Sequence, residues 1–212
     1  MDTLHKKDKE ETKKKLIQAT GEIFMTKGYS GLNASRIAYA AGVSKTLVYR
    51  YFGNVSELFK AFMLQKDYWI SFENGIEELL EVNQHDAGQE LAKNVLANQI
   101  KYFLNNEQMQ QIMRWQISEP NHISRGIADA RERMGEEMLR IVDPHFKDSG
   151  VNFRALMAVS VAGIYFLVLN AKVNGSTFCG VDLNKEEDIE ELQKAVKLLV
   201  DLAYEKASSG GL

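Results

Sequence analysis

Residues 37–52 read Ile37-Ala38-Tyr39-Ala40-Ala41-Gly42-Val43-Ser44-Lys45-Thr46-Leu47-Val48-Tyr49-Arg50-Tyr51-Phe52, and this stretch decides the fold. Taken as two short helices around a tight turn, each position has a physical task. Ala38 is small enough for a second helix to cross close to the first, and Gly42 supplies the positive φ that a short interhelical turn requires. Ile37, Ala41, Val43 and Val48 form the inward seam. Asn33 and Ser44 stand directly before the two helices as N-caps, where free backbone N–H groups also suit a phosphate. This is a helix-turn-helix whose second helix is shaped for a major groove. The small-residue spacing alone would also fit an ordinary pair of core helices. The outward residues of the second helix favour the groove, because Lys45, Thr46, Tyr49, Arg50 and Tyr51 offer cations, hydroxyls and rings to phosphates, base edges and thymine methyls. Ser35 and Asn54 complete the candidate DNA-contacting set.

Working outward, the periodicity predicts an all-α chain of about nine helices. Leu16, Ala19, Thr20, Ile23 and Phe24 recur at helical spacing over 10–27, and Gly28 follows as a C-cap. A long helix is expected from Asn54, with Asn54 and Glu57 spaced as a capping box and Leu58, Phe62, Trp69, Phe72, Ile76 and Leu79 on one stripe. Further helices are expected over 89–105, 107–118, 122–146, 152–174 and 185–206, the last two joined by a loop over 175–184. The domain reading is a DNA-binding helix-turn-helix head over 1–53, a helical ligand-binding and dimerisation body over 54–207 and a frayed tail over 208–212.

Charge separates the same two parts. Residues 1–66 carry a net +6 and the remainder −9, which together make the chain's −3. A basic head on an acidic body directs only the head towards a polyanion. No apolar run approaches the ~18 residues of a membrane span, and the lysine-rich start has no apolar stretch behind it, so a cytoplasmic protein that avoids membranes is expected. The single cysteine, Cys179, reads as a small buried hydrophobe. His5, His85, His122 and His145 lack metal-ligand spacing, and no phosphate loop or nucleophile elbow occurs, so neither an enzyme nor a cofactor or metal is expected.

The head resembles the TetR family of transcription regulators. The residues that carry the resemblance are Gly28-Tyr29, Asn33, Ile37-Ala38, Ala41-Gly42-Val43-Ser44-Lys45, Tyr49, Tyr51-Phe52, Glu57 and Leu58. They cover about the first 60 residues; beyond them only helix number and length are similar. The resemblance implies a three-helix DNA-binding head, a fourth helix leading into a ligand-binding body, and a dimer built from the last two helices. Its members usually repress transcription and leave DNA when a small molecule binds. Two departures stand out: Leu47 lies where many members place a threonine hydroxyl, with Thr46 beside it as a substitute. Val55 lies where a lysine commonly grips the backbone, which leaves Asn54 or the helix start to take that phosphate.

The body's own patterns point the same way. Ile189, Leu192, Val196 and Leu199 step by three and four in the final helix, and Leu156, Val159, Gly163 and Phe166 do much the same in the helix before it. Two such helices per chain would make a four-helix homodimer interface, although the stripes could also pack within one chain. Candidate pocket residues are Phe62, Trp69, Phe72, Phe103, Met113, Trp115, Met138, Tyr165 and Phe166, since methionine and aromatic walls suit greasy or flat molecules. At helical spacing the same residues also make plain core. The partners expected are a palindromic double-stranded operator, a second copy and an unidentified small-molecule effector. The alternatives are the same DNA-binding fold controlled by a protein partner instead of a ligand, and an interaction module whose helix-turn-helix only packs.

Overall fold

The computed structural model describes residues 2–70, 85–119 and 122–209, with side-chain surroundings from residue 8 onward. Among these residues it is helical throughout, with nine α-helices and no strand. They are α1 (Asp2–Lys27), α2 (Ala34–Ala40), α3 (Lys45–Phe52), α4 (Val55–Lys66), α5 (Gln89–Leu104), α6 (Glu107–Ser118), α7 (His122–Phe146), α8 (Phe153–Leu169) and α9 (Glu186–Ser209). Helix α8 runs on as a wider π-turn over Asn170–Asn174. In the loop that follows, a lone antiparallel bridge joins Phe178 and Val181, and Leu183 is buried.

Four expectations are corrected. The fourth helix does not run unbroken: it stops at Lys66, and Asp67 is extended at φ −82, ψ 125. The break allows the consecutive rings of Tyr68 and Trp69 both to be buried, which a helix turning 100° per residue opposes. The rest of that stripe, Phe72, Ile76 and Leu79, lies outside the described residues. Ser208 and Ser209 are the last residues of α9, so the described part of the tail is helical. The third concerns the membrane: the helical stretch Phe153–Asn174 is long and apolar enough to cross one, although only 22% of its most apolar window is buried. Its hydrophobicity has another physical source. Phe153, Ile164 and Val168 face the core while Val159 and Phe166 stand exposed, so two faces are apolar instead of one. Cys179 is exposed, not buried.

The chain divides into two compact units. The first comprises Met1–Asp67 and Gln111–Asp129, the second Tyr68–Gln110 and Ala130–Leu212. The core of the first joins α1, α2, α3 and α4 through Leu16, Phe24, Ile37, Val48, Leu58, Phe59 and Phe62, and Ile112, Trp115, Ile123 and Ile127 from α6 and α7 complete it. Gly21 permits the close approach of α1 and α4, because a Cβ there would sit 2.5 Å from Cε2 of Phe62.

The second unit is organised around α5. Its start is capped by the Asp86 carboxylate, which accepts from the N–H groups of Gly88 (3.1 Å) and Glu90 (2.8 Å). One side of α5, through Ala92, Leu96 and Ile100, packs with Val196, Val200 and Ala203 of α9 and Phe153 and Ile164 of α8. Gln193 of α9 donates to the Ala97 carbonyl at 3.1 Å, and Asp201 takes both Gln89 (2.8 Å) and Lys93 (2.9 Å).

Candidate nucleic-acid interface

The joint between α2 and α3 is built by backbone geometry. Val43 N–H donates to the Ala38 carbonyl (3.0 Å) and Gly42 N–H to that of Tyr39 (3.1 Å), with Gly42 at φ +66. This paired closure needs a left-handed residue just past the helix, which glycine adopts without penalty. Helix α2 is capped by Asn33, whose Oδ1 accepts from Arg36 N–H at 2.9 Å. Helix α3 is capped by Ser44, whose Oγ accepts from Thr46 N–H at 3.3 Å. Helix α4 is capped by Asn54, whose Oδ1 accepts from Glu57 N–H at 2.8 Å. All three capping residues are exposed, as is Ser35 on the first turn of α2.

Helix α3 is split cleanly by burial. Val48 is fully buried, with Tyr51 and Phe52 packed against the same core. Lys45, Thr46, Tyr49 and Arg50 are exposed and share the opposite face. The ammonium of Lys45 lies 6.0 Å from the Tyr49 ring centroid, the outer limit of a cation–π contact. Tyr51 departs from the expectation. It is half-buried against the head core, and Lys9 of α1 reaches to 5.9 Å from its ring, so its place is in the packing between α3 and α1. Val55 also packs on this core, which explains an apolar residue at the start of α4.

One residue escaped the sequence reading. Tyr39, on the last turn of α2, is 90% exposed, more than any other large apolar side chain among the described residues. The only signal in the sequence was an aromatic ring at a position where neither the seam nor the turn calls for one.

The pocket candidates scatter. Phe62 and Trp115 belong to the core of the first unit, where Trp115 meets Tyr29, Phe59 and Phe24, and Met113 is buried on α6. Phe166 is exposed and packs edge-on against Phe178 at 5.0 Å, so it lines no interior. Phe72 lies outside the described residues. Trp69, Phe103, Met138 and Tyr165 do gather in the second unit. The Trp69 indole N–H donates to the Tyr165 hydroxyl at 2.9 Å, Phe103 meets Tyr165 edge-on at 5.0 Å, and Met138 shares a cluster with Tyr68, Trp69, Leu91 and Val95. Tyr68 donates to the Val95 carbonyl at 2.8 Å. Burial, with Tyr165 nearby, pushes the Tyr68 phenol far above its ordinary pKa.

The dimer candidates also divide. Val196 is buried in the protomer, and Leu156, Ile189 and Leu192 pack against the same core. Val159, Phe166 and Leu199 are exposed, Gly163 is partly so, and Leu198 and Leu202 join the exposed set. The outer apolar face of α9 is thus the row Leu198, Leu199 and Leu202, displaced from the stripe read in the sequence.

Comparison with known proteins agrees with this geometry. Residues 16–62 match the family of bacterial regulatory proteins, tetR family. Among solved structures, the fatty acid degradation regulator FadR from Bacillus halodurans aligns over 95% of this chain and 96% of its own, with TM-score 0.60 and 16% identity. A TetR family transcription regulator from Marinobacter aquaeolei aligns over 95% and 97%, with TM-score 0.58 and 17% identity. The transcriptional regulator FadR from Bacillus subtilis, solved in complex with stearoyl-CoA, aligns over 88% and 96%, with TM-score 0.54 and 19% identity. No curated protein sequence matches the chain. The helix-turn-helix thus lies inside the segment that matches the tetR family of bacterial regulatory proteins, and most of the chain follows the fold of these solved structures, which identifies the head as that of a DNA-binding regulator.

Proposed function

We propose that the protein is a cytoplasmic homodimeric repressor that holds a palindromic operator through the α3 helices of its two copies and leaves it when a small apolar or aromatic molecule enters the second unit. The observation that carries the DNA half is the exposure of Lys45, Thr46, Tyr49 and Arg50 on one face of a helix whose other face is fixed in the core. Lys45 and Arg50 supply charge for phosphates and guanine edges, and Tyr49 a ring and hydroxyl for a thymine methyl or phosphate. Asn33, Ser35, Ser44 and Asn54, all exposed at or beside helix starts, position the head on the backbone. Tyr39 joins them as a further phosphate contact.

The exposed row Val159, Phe166, Leu198, Leu199 and Leu202 supports the dimer, since apolar faces of this extent mark association sites. The division of labour is a DNA-binding head over 1–53 and an effector and dimer body over 54–207, without enzyme activity or cofactor. The aromatic cluster of Tyr68, Trp69, Phe103 and Tyr165, and the stearoyl-CoA held by the same fold in the Bacillus subtilis regulator, support an apolar effector. Release is a population shift: the ligand favours a state whose recognition helices no longer match half-sites ~34–36 Å apart. A complete switch requires roughly 5.5 kcal/mol of differential affinity.

Selection of bound sequences from a random duplex pool, followed by a salt titration on the winner, tests this reading. A palindromic consensus with a steep salt slope is expected. Absence of binding at low salt would overturn it.

A further inference from the structure

Gln99 lies near the middle of α5 and is completely buried. Neither its amide oxygen nor its amide nitrogen has a hydrogen-bond partner. A buried amide with both ends unmet is expensive to keep and rare in native cores, so its presence requires a reason.

Its surroundings follow from helical spacing. Gln99 falls one turn after Val95 and one turn before Phe103, which places the three side chains along one side of α5. Val95 belongs to the cluster of Tyr68, Trp69, Leu91 and Met138, and Phe103 packs edge-on against Tyr165. The other polar groups there already have uses: the Tyr68 hydroxyl donates to the Val95 carbonyl, and the Trp69 N–H donates to Tyr165. None of these residues carries a charge. Among the described residues named here, the site therefore offers aromatic and thioether walls and one unmet amide but no cation, so a carboxylate set among them would lose its hydration without compensation from these side chains.

We infer that Gln99 is the polar anchor of the effector, and that the effector is a neutral carbonyl compound, an apolar body bearing an amide, ester or thioester, whose carbonyl oxygen accepts from Gln99 Nε2. The inference rests on the reading of the second unit as the effector body and deepens it by naming the chemistry recognised.

The probes are octanamide and octanoate, equal in chain length and differing in charge at pH 7.5. Each is titrated into the full chain by calorimetry, for the parent and for Gln99→Leu, with Gln99→Met as a second variant should the first not fold. The parent is expected to bind octanamide at least about tenfold tighter than octanoate, and Gln99→Leu to lose about tenfold for octanamide alone. The variant without ligand is expected to melt about 2–4 °C higher, because an unmet amide has been replaced by a hydrocarbon of similar size. Octanoate binding as tightly as octanamide, an unchanged octanamide affinity in the variant, no octanamide binding to the parent, or a lowered melting temperature would each overturn the inference. Operator binding is measured in parallel. Gln99-dependent octanamide binding without release of DNA upholds the anchor and removes the ligand-released repressor. Release of DNA by octanamide that is indifferent to Gln99 does the reverse.

Discussion

Trp115 stands edge-on to Phe59, with ring centroids 5.1 Å apart and planes at 85°, while its indole nitrogen donates to Glu119 Oε2 at 2.9 Å. The same ring meets Tyr29 at 4.9 Å, so a residue far along the chain completes the core beneath the recognition helix. Truncating a buried aromatic of this size costs about 3–5 kcal/mol, a large share of the ~5–15 kcal/mol that holds a typical domain. Trp115→Ala should therefore lower the urea midpoint followed by circular dichroism and weaken operator binding near the growth temperature, while Trp115→Phe retains most of both. An unchanged midpoint for Trp115→Ala would show that the ring does not support the head.

Gly21 and Gly42 resist alanine for different reasons. At Gly21 alanine would gain about 1 kcal/mol in helix propensity, but its Cβ would meet Phe62 at 2.5 Å, and Phe62 is itself locked among Phe24 and Phe59. Overpacking of about 1–3 kcal/mol wins. At Gly42 nothing lies within 4 Å, and only the left-handed backbone, at φ +66, costs about 1–2 kcal/mol. Thermal melts should show both variants destabilised. Phe62→Leu should rescue Gly21→Ala, and Gly42→Asn should be milder than Gly42→Ala. Rescue of Gly42→Ala by Phe62→Leu would contradict this account.

The head was legible because its signals are local. A capping Asn33, a turn Gly42, a capping Ser44 and a polar face on the next two turns fall within about twenty consecutive residues. Periodicity in the rest shows which face of a helix is apolar but not what covers it. Trp115 and Phe62 were read as pocket because rings at helical spacing look alike in either role, and only the tertiary fold sends them to the head core. In α9, the inner row of Val196, Val200 and Ala203 and the outer row of Leu198, Leu199 and Leu202 are both apolar, so spacing alone could not assign the dimer face. Gln99 was invisible because a glutamine in a helix is ordinarily a solvated one.

The two rows of α9 should respond differently to charge. Leu199 is 46% exposed and Val196 only 5%. Leu199→Asp should leave a folded chain whose sedimentation shifts from dimer to monomer, with operator affinity lost through loss of the second half-site. Val196→Asp buries an unpaired carboxylate and should unfold the protomer instead. A dimeric Leu199→Asp protein would move the interface elsewhere.

Arg154 clamps two carboxylates, reaching Glu136 at 2.7 Å and Asp143 at 2.6 Å. Hydrogen bonds from its guanidinium hold both acids below their ordinary pKa. Acids depressed in the folded state contribute stability above the unfolded pKa, and that contribution fades as pH falls through the folded one. The stability gap between the parent and Arg154→Gln should therefore be full at neutral pH and close below about pH 4. The groups are exposed, so the gap is expected to be small. Denaturant midpoints across pH 3–7 measure it, and a gap that widened on acidification would reverse the sign argued here.

On α3 the prediction separates charge, shape and packing. Lys45, exposed beside the Tyr49 ring, should act mainly through phosphate. Lys45→Ala then weakens binding to all duplexes alike and lowers the log–log salt slope by about one per half-site. Tyr49→Ala should instead cut affinity for the selected operator more than for random DNA, by about 1–3 kcal/mol per half-site if the ring meets a base. Tyr51, turned into the packing with α1, should tolerate Tyr51→Phe with operator affinity intact. Mobility-shift titrations at three salt concentrations distinguish these cases. If Tyr51→Phe lost affinity while Tyr49→Ala kept it, the reading face of α3 would have to be rotated by more than half a turn, against the burial of Val48.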